Sequence, residues 1–418
     1  MNLYGAIIFI AIITDYVLHT AADLLNLRAL STPVPEETGE LYGAEGLART
    51  KMYTRAATSE SVAQRSISIA AVLLFWLLGG LAGLDGLVRG WFASELAQGL
   101  AFVGAVVLLY EALTVGFDAY RTFGLETRFG FNRTTWRTFV VDRAKGLLLT
   151  LILGGLLLAG LIELYLHAGA AAWVWCWIGV TAFSVVIQWL GPALILPLFN
   201  RFETMPEGEL RDEVLRYAES VRYPLEKVYV IDGSRRSTRA NAYLTGLGRR
   251  RRIALFDTLI EAHSISEIIA VLAHEIGHHR LHHVIKGLVL GGLQAGLSLF
   301  ILNVVLGQPG LYHAMLLPSP SLHAGLVGFA LFYIPASGLL AVLMNGMTRR
   351  FEYAADRFAV DTAPAPQSLV DALKKLAVVN LTHPRPHRLY VWLNYTHPPL
   401  AERLSAIERR IGTAADSR

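Results

Sequence analysis

Cysteine is nearly absent from this chain. The one copy, Cys176, sits in an apolar stretch, which excludes an intrachain disulfide and any cysteine-based metal site. Charge is scarce as well. Asp, Glu, Lys and Arg make up 17% of the 418 residues, against 54% hydrophobic, a balance that excludes an ordinary water-soluble globule. Two long stretches, 164–200 and 287–348, contain none of the four charged types. No basic residue precedes Arg28, so the apolar run at the N-terminus lacks the positive start of a secretory leader and is expected to persist as a span. No internal repeat or low-complexity tract stands out.

What is present instead is a series of hydrophobic segments. Spans are predicted at 3–18, 66–84, 96–116 and 146–162. A fifth lies within 164–200, with Trp173, Trp175 and Trp177 at one end, and two more lie within 287–348, separated by Gln308-Pro309-Gly310 and Pro318-Ser319-Pro320. Each is near the ~20 residues a helix needs to cross the hydrocarbon layer. Seven spans divide the loops into two sets, and 36 of the 37 Lys and Arg fall in 19–65, 117–145, 197–286 and 349–418. The exception is Arg89. The positive-inside rule then puts these loops in the cytoplasm and the N-terminus outside. The expected fold is mainly α and polytopic, with a small α+β cytosolic portion. Its parts are 1–196 (spans one to five with their loops), 197–286 (cytosolic), 287–348 (spans six and seven) and 349–418 (a cytosolic helical region).

Within 197–286, residues 207–221 read as a helix, while 227–232, 241–244 and 253–256 read as short strands, with Gly246, Gly248 and Asp232-Gly233 as turns. The basic run Arg249 to Arg252 is expected to form a turn near anionic lipid headgroups, and no nucleic-acid partner is expected.

The stretch Ser264 to Lys286 is predicted as one helix that feeds span six. Ser264 and Glu267 have the spacing of a capping box. His274 and His278 lie one turn apart, so both imidazoles leave the same face and can share a Zn²⁺. Glu275 is then the natural proton acceptor for an attacking water. A catalytic zinc needs a third protein ligand. Beyond span seven, Arg349-Arg-Phe-Glu-Tyr-Ala-Ala-Asp356 offers Glu352 and Asp356 on one helical face, and the hairpin of spans six and seven returns them to the membrane side where the His helix begins. Asp356 is suited to accept a hydrogen bond from a ligating imidazole. His397 fits either an oxyanion-stabilising imidazole or a turn histidine before Pro398. Asn241 fits either a substrate-backbone contact from a strand edge or a turn residue. His279, His282 and His283 receive no role.

Seven stretches together resemble the CAAX prenyl protease type 1 family: Phe129-Gly-Phe-Asn132, Pro197-Leu-Phe-Asn200, Asn241-Ala-Tyr243, Leu255-Phe-Asp-Thr258, His274-Glu-Ile-Gly-His278, Phe351-Glu-Tyr-Ala-Ala-Asp356 and His397-Pro-Pro-Leu-Ala-Glu-Arg403. The resemblance covers nearly the whole chain. It implies a seven-span integral-membrane zinc metalloprotease whose helices enclose a water-filled chamber, with one Zn²⁺ held by His274, His278 and Glu352 and with Glu275 as base. It also implies that Asn241 and His397 contact the substrate backbone and the reacting carbonyl, and that Arg403 lies near the substrate. The implied substrate is a peptide or protein, lipidated at a C-terminal Cys in eukaryotic relatives, from which the last three residues are removed.

Two other readings follow from the residues. One is a general quality-control protease for membrane proteins. The other is a divalent-cation transporter, suggested by five histidines between His274 and His283. Transport calls for ligands near the bilayer midplane, whereas these cluster at the cytosolic edge. The Ala, Gly, Leu and Arg bias points to a bacterial inner membrane, the alternative being the ER membrane of a eukaryote.

Overall fold

The computed structural model describes residues 2–34, 36–245 and 251–416. The first helix, α1 (Leu3–Ala29), extends well beyond the predicted end at Leu18. Its second half is polar but satisfied inside the protein: Ala22, Asp23 and Asn26 are buried, and Asp23 pairs with Arg65 at 2.8 Å. The second span also differs from expectation. It belongs to α2 (Glu36–Leu77), which stops short of Leu84. Gly79 adopts φ +80°, a left-handed conformation that glycine takes without steric cost, and the chain turns there into α3 (Gly80–Trp91). Hydropathy alone ran through this turn because the residues on both sides are apolar.

Three long helices follow. The first is α4 (Glu95–Ala119), prolonged by a π-helical segment to Glu126. The second joins α5 (Trp136–Leu149) to α6 (Gly155–His167), and the third joins α7 (Ala172–Leu190) to α8 (Leu196–Phe199), each through another π-helical segment. Next come β1 (Phe202–Thr204), α9 (Glu209–Ser220), β2 (Leu225–Ile231), β3 (Ala242–Thr245), β4 (Arg251–Phe256), α10 (Asp257–Ala262) and α11 (Ile265–Arg280). The chain then re-enters the helical array with α12 (His283–Leu306), α13 (Pro309–Ala314), α14 (Leu322–Phe332) and α15 (Ile334–Thr362). It ends in α16 (Gln367–Val379), α17 (Arg388–Asn394) and α18 (Leu400–Asp416).

Among the described residues, six helices are long and apolar enough to cross a membrane, and seven when α14 and α15 count as one span bent by 56°. Many large apolar side chains on them face outward, including Leu74, Leu109, Trp175, Leu293 and Leu339, as a lipid-facing surface requires. The protein is thus a mainly helical, multi-pass membrane protein. Two expectations are corrected here. The predicted seventh span is broken at Tyr333, next to Pro335, whose ring cannot sit in a helix interior and is tolerated only in the first turn of α15. The predicted helix from Ser264 to Lys286 is also two helices, separated at Leu281 and His282, and His282 has φ +58°.

The sheet has the order β1-β2-β4-β3, with β2 and β4 parallel and both outer pairings antiparallel. β1 was not predicted; three residues are too few for an alternation signal. Gly246, Gly248, Arg249 and Arg250 lie outside the described residues. Arg251 and Arg252 open β4 instead of forming a turn: the Arg251 guanidinium lies 4.7 Å from the Tyr223 ring centre, and Arg252 lies 3.8 Å from Glu226. One hydrophobic core unites the sheet, α9, α11, the end of α15, α16 and α18 through Val214, Val228, Ile253, Leu272, Ile276, Ala359, Leu369 and Ile407. Residues from both long polar segments therefore share a single core, and α11 runs through it.

Candidate metal centre

The helix α11 is held at both its start and its flank. Ser264 Oγ accepts from the Glu267 N–H, the Glu267 carboxylate accepts from the Ser264 N–H at 2.9 Å, and Lys375 donates to Glu267 at 2.8 Å. Ile268, Ile269, Leu272, Ala273 and Ile276 are buried, and this fixes the rotation of the helix. His274, Glu275 and His278 are thereby turned toward a cavity of about 420 Å³ that they line together with Leu290, Met344, Met347, Phe351, Glu352 and His397.

Glu352 reaches this cavity from α15, which packs tightly along α11. Contact is close at Gly277, the fourth letter of the motif, where an added Cβ would lie 3.2 Å from the Ala355 Cα and carbonyl oxygen. The absence of a side chain at that point lets the two backbones approach. As a result, His274 Nε2 lies 3.5 Å from Glu352 Oε2, His278 Nε2 lies 3.3 Å from Glu352 Oε1, and the two Nε2 atoms are 3.1 Å apart. Ligand atoms ~2.0–2.1 Å from a tetrahedral zinc stand ~3.3 Å apart, so two imidazoles and a carboxylate at these separations fit a small divalent cation. Two further observations agree. Glu352 is buried, yet its Oε2 has no hydrogen-bond partner among the described residues. Burial by itself would lower the pKa of His274, but the Asp356 and Glu352 carboxylates raise it to about 9, so the pocket favours positive charge.

Behind these three side chains, Asp356 Oδ1 stands 2.9 Å from His274 Nδ1. That arrangement leaves Nε2 free for a cation. Arg403 is buried against Asp356 and donates to it from Nε at 2.9 Å and Nη2 at 2.6 Å, while Nη1 lies 3.8 Å from Glu352. Arg403 therefore stands near the His-Glu cluster, with two of its nitrogens engaged by Asp356, and its side chain does not itself line the cavity. Glu275 is half-buried on the cavity wall. Burial raises its pKa, and the nearby imidazoles of His274 and His278 offset only part of that rise. His397 lines the cavity from the other side, with Nε2 3.5 Å from Glu352 Oε2 and Nδ1 3.0 Å from Thr396 Oγ1. Its segment is tied to α15 by Asn345, which donates to the Leu393 carbonyl at 2.9 Å, and by Arg349, which donates to the carbonyls of Val391 and Tyr395 at 3.2 and 2.6 Å. Asn241 is exposed at the head of β3, the last strand in the sheet order; its Oδ1 accepts from the Ala242 N–H at 2.9 Å, and it does not line the cavity of the His cluster.

Three contributors were not legible beforehand. Gly277 had no expected role of its own. Arg349 had none either, yet it holds the His397 segment through backbone carbonyls. His283, left without a role, is buried with Nδ1 3.0 Å from His278 Nδ1.

Comparison with known proteins identifies relatives over nearly the whole chain. Residues 23–201 match the family described as CAAX prenyl protease N-terminal, five membrane helices, and residues 204–411 match peptidase family M48. The CAAX prenyl protease 1 homolog of Oryza sativa subsp. japonica is 33% identical over 405 residues, covering 94% of each chain. The CAAX prenyl protease 1 homolog of Homo sapiens is 30% identical over 427 residues, covering 90% of this chain and 89% of its own. The crystal structure of S. mikatae Ste24p superposes with a TM-score of 0.91 at 27% identity, over 97% of this chain and 99% of that one.

Proposed function

Because the chain belongs to peptidase family M48 and is a multi-pass membrane metalloendopeptidase with a metal cofactor, we propose that it cleaves the C-terminal tripeptide from prenylated proteins ending in Cys-a-a-X, using one zinc ion. The observation that carries the metal assignment is the meeting of His274, His278 and Glu352, with donor separations of 3.1 to 3.5 Å, from two segments far apart in the chain. These three residues would hold the ion. Zinc bound there would lower the pKa of an attacking water and polarise the scissile carbonyl.

The protein's own groups do the rest. Glu275, on the cavity wall beside the two imidazoles, takes the proton of the attacking water and returns it to the leaving amine. His397 donates from Nε2 to the carbonyl oxygen as charge develops there, with Nδ1 accepting from the Thr396 hydroxyl. Asp356 orients His274, and Arg403 holds Asp356 in place. Asn241 offers an amide at an exposed strand edge, where an extended substrate backbone can align. Leu290, Met344, Met347 and Phe351 give the cavity the apolar wall that a lipidated substrate needs.

The same reading divides the chain into 1–196, 197–286, 287–348 and 349–418, with the spans around a chamber, the catalytic site toward the cytosol and the N-terminus outside. The support for that orientation is the confinement of 36 of the 37 basic residues to one set of loops. The proposed membrane is a bacterial inner membrane, on compositional grounds.

The test is mass spectrometry of products from two peptides of one sequence ending in Cys-a-a-X, one farnesylated and one not. Release of an intact tripeptide, faster from the farnesylated peptide, is expected. Glu275→Gln is expected to abolish it while retaining metal. Scattered internal cuts, equal in the two peptides, would overturn the substrate assignment in favour of general membrane-protein turnover.

A further inference from the structure

His283 has no place in the mechanism above, yet its surroundings are specific. It is the first residue of α12, it is buried, its ring stacks on Phe351 with centres 4.4 Å apart and planes 12° apart, and its Nδ1 lies 3.0 Å from His278 Nδ1. On an unbroken helix, residues five apart are rotated by about 140° and face away from each other. The left-handed residue His282 breaks the helix and swings His283 back over His278. A non-glycine residue at positive φ costs about 1–2 kcal/mol, so the surrounding structure must hold this turn in place.

We propose that His283 is the positioning residue for the ligand His278. The inference rests on the metal-centre reading given above. With His278 Nε2 directed at Glu352 and His274, its single proton resides on Nδ1 and needs an acceptor. His283 Nδ1 is that acceptor, which assigns the His283 proton to Nε2. The two ligating imidazoles are therefore supported unequally: His274 by the charged Asp356–Arg403 pair, and His278 by a neutral imidazole clamped on a phenyl ring. Phe351 immediately precedes Glu352, so one short stretch of α15 supplies both a metal donor and the platform that orients the support for another.

Two substitutions separate hydrogen bonding from packing. His283→Asn keeps an acceptor oxygen near the position of Nδ1. His283→Leu fills the space against Phe351 and removes the acceptor. The zinc dissociation constant of the full-length protein in detergent is measured by competition with a chromophoric chelator, with circular dichroism of the metal-free protein as the folding control. His283→Leu is expected to weaken zinc about 10- to 100-fold, the usual effect of losing such a partner, and His283→Asn to stay within about threefold of wild type on the same principle. Equal affinity in all three proteins overturns the proposal, and so does equal weakening in both variants, which would make the role one of packing. His278→Ala distinguishes the underlying assignment: if it retains wild-type zinc affinity, the metal-centre reading itself fails.

Discussion

Replacing Gly277 with alanine tests how the metal donors are brought together. The added Cβ would lie 3.2 Å from the Ala355 Cα, the Ala355 carbonyl oxygen and the Phe358 Cβ. Carbon contacts are optimal at about 3.5–4.0 Å, so α11 and α15 must separate by a few tenths of an ångström. Ala355 is one turn from Glu352 on the same helix, and the separation is transmitted to the carboxylate that faces His274 and His278 at 3.5 and 3.3 Å. Metal–ligand distances tolerate about 0.2 Å, so the displacement exceeds what the site absorbs without loss. Overpacking of this kind costs about 1–3 kcal/mol. If most of it falls on the donor set, zinc affinity drops about 5- to 150-fold. Folding is affected less, because alanine gains about 0.8–1.0 kcal/mol over glycine within a helix. The expected signature is a weakened zinc dissociation constant and a lower kcat/KM, with a thermal midpoint for the metal-free protein close to wild type. A Gly277→Ala protein that binds zinc and turns over as wild type does would refute the idea that this contact sets the donor spacing.

Two other perturbations have defined outcomes. His397→Ala should lower kcat by about 10²–10³ while KM and zinc content hold, and steady-state kinetics with metal analysis reads this directly; an unchanged kcat removes His397 from the oxyanion role. For Glu267, burial raises the carboxyl pKa, but Lys375 and the Ser264 N–H more than compensate and hold it below the usual range. Its contribution to stability is therefore complete above the unfolded Glu value of about 4.3 and is lost as pH falls through the lower folded pKa. Acid unfolding of Lys375→Met should accordingly begin at higher pH than that of wild type, and coincident acid transitions would rule out the Lys375 effect.

The membrane spans and the paired histidines were readable because each is a local pattern: an apolar run of membrane length, or two residues one helical turn apart. The strands β2, β3 and β4 were readable for the same reason, through β-branched and aromatic runs between turns. The ends of elements were less so. The second span was drawn past Leu77 because the Leu-Gly-Gly turn after it is as apolar as the helix. Polar residues that are satisfied inside the protein, such as Asp23, concealed the true length of α1.

By itself the sequence determined that the protein is a helical membrane protein with basic loops on one side, and that a zinc-type His pair with its adjacent Glu275 occupies one helix face. Those conclusions need only composition and the 3.6-residue period. The sequence also offered Glu352 as the third donor, but tertiary structure alone decided how close it comes to the two imidazoles, that Arg403 pairs with Asp356, and that His283 turns back onto His278. Each depends on a close approach between segments distant in the chain, or on one residue, His282, in a backbone conformation that its side chain does not announce. Such contacts exist only once the helices pack, and no local pattern of residues encodes them.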